Sequence, residues 1–400
     1  MSHRSYRFKH LRPVSLGTLA LLTGAQLFAA DTALEALQEG EVNLTLRPRY
    51  EYAEQANRDV SHAATLKTLL GYTTAPWQGF SAQIEFSDTH ALDDASYNAA
   101  GLNGEPQKTV VADPETTELN QAYLQYTDEL LLVKGGRQRL IYDNARFVGN
   151  VGWRQNEQTF DAGLIRVTPV QGLKLDYAYL SQINRIFADE RDWDSDSHLL
   201  HLHYTVTDTV EVGAYYYHLD FDGGGDGQDN DTLGGFVAGG VPLEDVKLTY
   251  RLESAWQHRD TPDIDPWYFH AQGGAAYDAF KLGLGYEVLG SDDGRGQFLT
   301  PLATAHAYNG FADAYLNNGG AGGLRDLYLS LGTQVEKLNA TFIYHHFESD
   351  AGDAADGEEY DFVLAYPVHE RVKALVKVAL YQGDDLPDVN RFVTQLTFSY

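Results

Sequence analysis

The chain ends in the stretch RFVTQLTFSY, residues 391–400. Side chains alternate between the two faces of an extended strand, so Phe392, Leu396, Phe398 and Tyr400 share one face. That face is apolar and ends in an aromatic residue, whereas the other face is mostly polar. The pattern predicts a strand whose two faces meet different surroundings.

The same alternation with a period of two recurs along the whole chain. Clear examples are residues 42–46, 80–86, 246–252 and 372–378, in which apolar residues alternate with polar or charged ones. A soluble sandwich also alternates, because one of its faces meets water and the other a core. Alternation alone therefore does not decide the fold.

The lengths of the connections do decide it. The candidate strands number about eighteen, and the links between them alternate between short and long, as in transmembrane barrels. The short links are residues 75–79, 127–129, 169–172, 207–209, 277–278, 336–337 and 367–370, and the long links are residues 88–116, 141–156, 182–196, 220–231, 291–325 and 349–358. With both chain ends on one side, every long link lies on the opposite side. The sequence predicts an all-β fold, a single transmembrane antiparallel β-barrel with short periplasmic turns and long extracellular loops.

The first and last strands of such a barrel must pair, because a spanning sheet cannot leave an open edge in hydrocarbon. We expect residues 42–52 to close against residues 391–400. The apolar faces would contact outer-membrane lipid and lipopolysaccharide, and the aromatic end of the last strand would be recognised by the barrel-assembly machinery.

The first thirty residues have the pattern of a secretory signal. Arg4, Arg7, Lys9 and Arg12 precede an apolar run over residues 14–30. A membrane anchor is the alternative, but the run falls short of the ~20 residues that a spanning helix needs. We expect a signal peptide over residues 1–30, a barrel over residues 31–400, and a location in the outer membrane of a Gram-negative cell.

Composition excludes several kinds of chemistry. The chain has no cysteine, which excludes disulfides, thiolate metal sites and a cysteine nucleophile. It has no G-x-S-x-G motif, so we expect no enzyme. The formal net charge of -28 argues against a nucleic-acid partner.

The charges are unevenly distributed. Acidic residues concentrate in the long links, as in residues 189–197, 220–231 and 348–359. The inward positions expected from alternation are basic on balance: Arg47, Arg49, Lys67, Arg137, Arg139, Lys174, Lys247, Arg251, Lys281, Lys373 and Lys377, against Glu51, Glu85, Asp176, Glu253 and Glu287. A basic lumen concentrates anions and predicts anionic cargo. The alternative is that these charges only hydrate and brace a wide pore.

No cofactor is expected, and two metal interpretations stay open. The spacing of Asp220, Asp222 and Asp226 does not match a calcium-binding EF-hand loop, although calcium bound by acidic loops is an alternative to simple solvation. His201 and His203 share a strand face near His198 and could either hold a metal or line the lumen.

Two longer stretches resemble a known family. GGRQRLIYDNARFVGNVGWRQNEQTFDA, residues 135–162, and LGSDDGRGQFLTPLATAHAYNGFADAYL, residues 289–316, are similar to segments of the alginate-export family of outer-membrane barrels. The resemblance implies an eighteen-stranded barrel whose arginine-rich lumen passes a polyuronate. The family motif falls on Arg137, Arg139, Arg146, Arg154 and Asp161, and on the loop residues Asp292, Asp293, Pro301, His306, Gly310 and Asp313. Phe311 departs from it, because a tryptophan is expected there.

Three functions remain open at this point. The favoured one is passive diffusion of anionic saccharides, such as alginate or another polyuronate, through a lumen lined by Arg47, Arg49, Arg137, Arg139, Arg146, Arg154, Arg251 and Asp161. The others are a general or small-anion porin, and an adhesive or structural barrel that acts through its acidic loops.

Overall fold

A computed structural model describes residues 30–94, 96–353 and 356–400. The segment predicted as a signal peptide lies outside the described residues except for Ala30, so that assignment stays a prediction. The described chain begins with a short helix, α1 (Ala33–Gln38), which Thr32 caps through its side chain. Among the described residues, no helix is long and apolar enough to cross a membrane.

The rest of the regular structure is antiparallel sheet. The strands are β1 (Glu41–Gln55), β2 (Ser61–Thr73), β3 (Phe80–Ala91), β4 (Thr116–Thr127), β5 (Leu131–Gln138), β6 (Thr159–Val170), β7 (Leu173–Asn184), β8 (Trp193–Thr207), β9 (Val210–Leu219), β10 (Phe221–Gly223), β11 (Asn230–Leu243), β12 (Val246–Asp260), β13 (Asp263–Ile264), β14 (Trp267–Tyr277), β15 (Phe280–Leu289), β16 (Leu324–Val335), β17 (Leu338–Glu348), β18 (Gly357–His369), β19 (Val372–Gly383) and β20 (Val389–Ser399). The short strands β10 and β13 extend the edges of β8 and β12. The other eighteen pair in chain order.

The barrel closes through the last strand, as predicted. Strand β20 pairs with β19 on one side and with β1 on the other. Phe398 lies opposite Leu46, and the backbone N–H of Tyr400 donates to the carbonyl of Leu44 over 2.9 Å. The predicted barrel of eighteen strands is therefore confirmed, and the described sheet has no open edge.

The connections also follow the predicted parity. One end of the barrel carries the tight turns, such as residues 171–172, 244–245 and 278–279. The other end carries the long loops, including residues 92–115, 139–158 and 290–323. Exposed apolar side chains such as Leu282, Leu284 and Phe362 lie on the outer face, as expected of a surface that meets lipid.

Two long loops, residues 139–158 and 290–323, fold into the barrel instead of extending away from it. Loop residues Val148 and Leu302 form a β-bridge and are buried. They belong to an apolar cluster that also contains strand residues Leu180 and Tyr268. The interior of the long-loop half is therefore packed, and the loops narrow the passage.

Candidate functional site

A cluster of charged side chains in the lumen is centred on Arg154, which belongs to the loop of residues 139–158. Its guanidinium lies 2.6 Å from the carboxylate of Asp313 and 3.2 Å from that of Glu51. Glu51 also accepts a hydrogen bond of 2.8 Å from Arg391. These side chains are almost fully buried, so the pairs tie two loops to the wall at β1 and β20.

Arg47 and Arg49 point inward from β1, as predicted, but they bind the loop backbone. Arg47 donates to the carbonyl of Gly152 over 2.9 Å and also to that of Arg154. Arg49 donates to the carbonyl of Trp153 and pairs with Asp113 at 3.4 Å. Both guanidinium groups therefore hold loops in place.

Arg139 and Arg146 belong to two further ion-pair clusters. Arg139 pairs with Glu157 and, at 2.5 Å, with Glu85. Arg146 donates to Glu287 over 2.7 Å and is 1% exposed. Because a charge buried without a partner is costly, these arginines need their carboxylates.

His306 anchors the loop of residues 290–323. Its ring stacks on Trp153 with centroids 4.4 Å apart, and its Nδ1 lies 2.6 Å from Asp313. Its Nε2 lies 2.9 Å from the amine of Lys377, which also sits over the rings of Trp153 and Phe311. Burial, together with the nearby cations, lowers the pKa of His306 to about 3, against the opposing effect of Asp313. The imidazole is therefore neutral at physiological pH, with Nε2 free to accept from the Lys377 ammonium.

The surroundings of Asp313 favour its charged form. Burial disfavours its charge, but His306 and Arg154 outweigh burial and lower the pKa of Asp313 below its ordinary value. The carboxylate is therefore charged over the whole physiological range, and it joins the His306 anchor to the Arg154 pair.

The inward assignment of Arg137 and Asp161 was wrong. Directly opposed residues in an antiparallel sheet share a face, and Arg137 opposes Ala122, which in turn opposes Ile84 on the exposed outer surface. The Arg137–Asp161 pair, at 2.7 Å, therefore lies on the outside near the long-loop end. Regular alternation places Arg137 and Arg139 on the same face. Strand β5 ends at Gln138, however, so Arg139 lies in the loop and does not indicate the face of Arg137.

The remaining predicted residues lie in three different places. Gly310 lies against the wall, where a Cβ atom would come within 2.2 Å of Glu359 and φ is +83°. Pro301 faces the cavity described below. Asp292 instead pairs with Arg295 at 2.6 Å on the exposed part of the loop, next to Asp293, so these two acids are not part of the interior cluster.

Arg251 faces the lumen as predicted, but it too has a partner. Its guanidinium lies 2.8 Å from Glu253 and 3.9 Å from the ring centroid of Phe236. Nearby, His201 and His203 lie 3.4 and 3.3 Å from Asp143. Within the described residues, no group of three histidine, aspartate or glutamate side chains is placed to hold a metal ion.

Several lysines in the short-turn half of the barrel have no carboxylate partner among the described residues. Lys247 opposes Ala276, which opposes Lys281, so both lysines share the inner face, whereas their neighbours Leu248 and Leu282 are exposed outside. Five lysines occupy such inner positions: Lys134, Lys174, Lys247, Lys281 and Lys373. In the described part of the chain, none of them forms an ion pair. Four of these were among the predicted inward positions, and Lys134 was missed because glycines replace the alternating residues around it.

At the long-loop end the lumen opens into a cavity of about 620 Å³. Its walls come from loops of residues 139–158, 185–192, 290–323 and 384–388. Arg154, His306, Asp313 and Arg391 line it as well, so the ion-pair cluster borders the cavity. From the long-loop end to the short-turn end, the lumen consists of a mouth cavity, a charged constriction and a part lined by lysines.

A closed barrel with an apolar outer face and a charged, loop-narrowed lumen is the architecture of an outer-membrane channel. The profile of the family described as alginate export matches residues 39–356. The chain therefore belongs to the alginate-export family.

Solved structures show the same fold at low sequence identity. Pseudomonas aeruginosa OccK1 (OpdK) is 13% identical, with 91% of this chain and 99% of that chain covered and a TM-score of 0.74. Acinetobacter baumannii OccAB4 is 15% identical, with 90% and 98% covered and a TM-score of 0.70. No curated protein matches the chain.

Proposed function

We propose that this channel passes anionic saccharides, with polyuronates as the leading class, by passive diffusion. The observation that carries the proposal is the set of five lumen lysines that have no carboxylate partner among the described residues. Ammonium groups on flexible stems attract carboxylates without the fixed bidentate grip of arginine, so a solute with repeated charges can be released from one site to the next. Membership of the alginate-export family supports the same class of cargo.

A second candidate is a channel for small organic anions, because unpaired lysines attract any anion. The fold is similar to that of Pseudomonas aeruginosa OpdK in its structure with vanillate, at 14% identity, 91% and 99% coverage and a TM-score of 0.73. The two candidates differ in whether an extended, multiply charged chain crosses the constriction.

The test is charge selectivity combined with flux. In planar bilayers under a salt gradient, the reversal potential of the intact channel should indicate anion preference, and Lys247→Glu, Lys281→Glu and Lys373→Glu together should change it to cation preference. Single replacements should shift the potential only modestly, because each solvated charge pair contributes about 0 to 1 kcal/mol. Lys337→Glu is the matched control, because Lys337 lies in the tight turn after β16.

Flux into proteoliposomes then separates the candidates. Hexuronate oligosaccharides should enter faster than neutral oligosaccharides of equal length, and the triple variant should lose that difference. Equal entry of charged and neutral oligosaccharides would show a general porin, and entry of small carboxylates alone would favour the second candidate.

A further inference from the structure

One arginine that lines the mouth cavity has neither a carboxylate nor a hydrogen-bond acceptor for its guanidinium among the described side chains. Three arginines line the cavity: Arg154, Arg185 and Arg391. Arg154 and Arg391 pair with carboxylates in the constriction. Among the side chains that the structure describes, no carboxylate lies within ion-pair distance of Arg185, and no acceptor takes a hydrogen bond from its guanidinium.

The guanidinium of Arg185 is held in place by aromatic rings. Its Cζ lies 4.0 Å from the ring centroid of Trp193 and 5.0 Å from that of Phe187. Contacts with ring faces orient the guanidinium plane but leave its N–H edges free. Trp193 is itself fixed, because it packs on Phe221 of β10 with centroids 5.1 Å apart and is 5% exposed.

Arg185 remains charged in these surroundings, and the loop positions it. Burial and the neighbouring Arg191 lower the pKa of Arg185 to about 10, which leaves it protonated at neutral pH. The backbone N–H of Arg185 donates to Asp192 over 2.7 Å, so the carboxylate holds the loop through its backbone. A preorganised, charged donor edge in a cavity is suited to bidentate binding of a carboxylate.

The surrounding lining identifies the rest of the ligand. Gln55, Gln228, Gln297 and Asn317 line the cavity, and carboxamide groups can both donate to and accept from hydroxyl groups. Apolar residues such as Leu316 cover much of the remaining wall. One unpaired cation, several amides and apolar surface fit a sugar acid better than an inorganic anion, which has no apolar face to bury.

We propose that Arg185, held by Phe187 and Trp193, is a docking subsite for one carboxylate of a hexuronate saccharide at the long-loop mouth. This inference rests on the proposed function, because it assigns a recognition residue to the same cargo. A saccharide at the long-loop side would contact Arg185 outside the constriction, and the weak single contact would orient the chain without trapping it.

The experiment is block of single-channel current by a hexuronate disaccharide added on the long-loop side. Arg185→Gln should raise the half-blocking concentration about tenfold, the size expected for loss of one charge-assisted hydrogen-bonded pair that is partly open to water. Arg191→Gln is the matched control: it removes the same charge from the same loop, but Arg191 donates to the carbonyl of Ala100 and does not line the cavity. Its half-blocking concentration should stay within about twofold of the intact channel.

The outcomes separate the two proposals. If the intact channel prefers anions and passes hexuronates, but Arg185→Gln and Arg191→Gln block alike, the docking subsite is wrong and the proposed function stands. If a neutral disaccharide blocks as well as the hexuronate, or only an aromatic carboxylate blocks, the sugar-acid assignment is wrong. If hexuronates neither block nor pass in the intact channel, the proposed function itself fails.

Discussion

Asp192 sets the charge beside the docking arginine. Burial, with repulsion from Glu118 and Asp189, raises the pKa of Asp192 to about 6, against the opposing effects of the Arg185 backbone N–H and of Arg137. The carboxyl group is therefore largely charged at pH 7.5 and largely neutral at pH 5. Since its charge opposes anion binding nearby, the mouth should bind anions more strongly at the lower pH.

The expected result is a hexuronate half-blocking concentration about two- to fivefold lower at pH 5 than at pH 7.5, a small electrostatic effect because the site is open to water. Asp192→Asn keeps an oxygen that accepts from the Arg185 backbone and should give the low-pH value at both pH values. If Asp192→Asn retains the full pH dependence of block, other titratable groups are responsible for it.

At the level of elements, the long loops are held inside the barrel by buried ion pairs. Arg154 is the central residue of these ion pairs, because it joins a carboxylate on β1 to a carboxylate in the loop of residues 290–323. Removing a single partner from such a cluster leaves the others charged and buried, which is far more costly than removing an exposed pair.

Arg154→Ala should therefore destabilise the loop packing by about 3 to 5 kcal/mol and increase the open-channel noise and mean conductance. Arg295→Ala is the control, because Arg295 pairs with Asp292 in the same loop but its side chain is 59% exposed, so about 0 to 1 kcal/mol is expected. Thermal unfolding and single-channel recording measure the two effects. Equal melting temperatures and equal conductance in both variants would mean that the ion pairs do not hold the loops.

At the scale of the whole molecule, the sequence was sufficient for the barrel but not for its interior. Alternation and loop parity predicted the strands because both follow from a period of two and from a membrane with two sides. The roles of Arg47, Arg49 and Arg154 could not be read in this way, because their partners come from loops distant in sequence and the inward folding of those loops has no periodic signal. Arg185 was missed for a related reason: it lies in an irregular loop, and it is distinguished by having no carboxylate partner among the described side chains.

The separation of acidic rim and basic lumen leads to a prediction about ionic strength. The exposed acids Asp222, Asp226 and Asp260 lie at the long-loop rim, whereas the unpaired lysines lie in the short-turn half. Charges separated by more than the Debye length, about 8 Å at 0.15 M and 30 Å at 0.01 M, act on each other only weakly.

At 0.15 M salt the variant in which all three of these acids are changed to Asn should therefore show the same reversal potential as the intact channel. At 0.01 M it should show a stronger anion preference, because the rim no longer repels anions. A large shift already at 0.15 M would mean that the rim carboxylates govern selectivity and that the lysine-lined lumen does not.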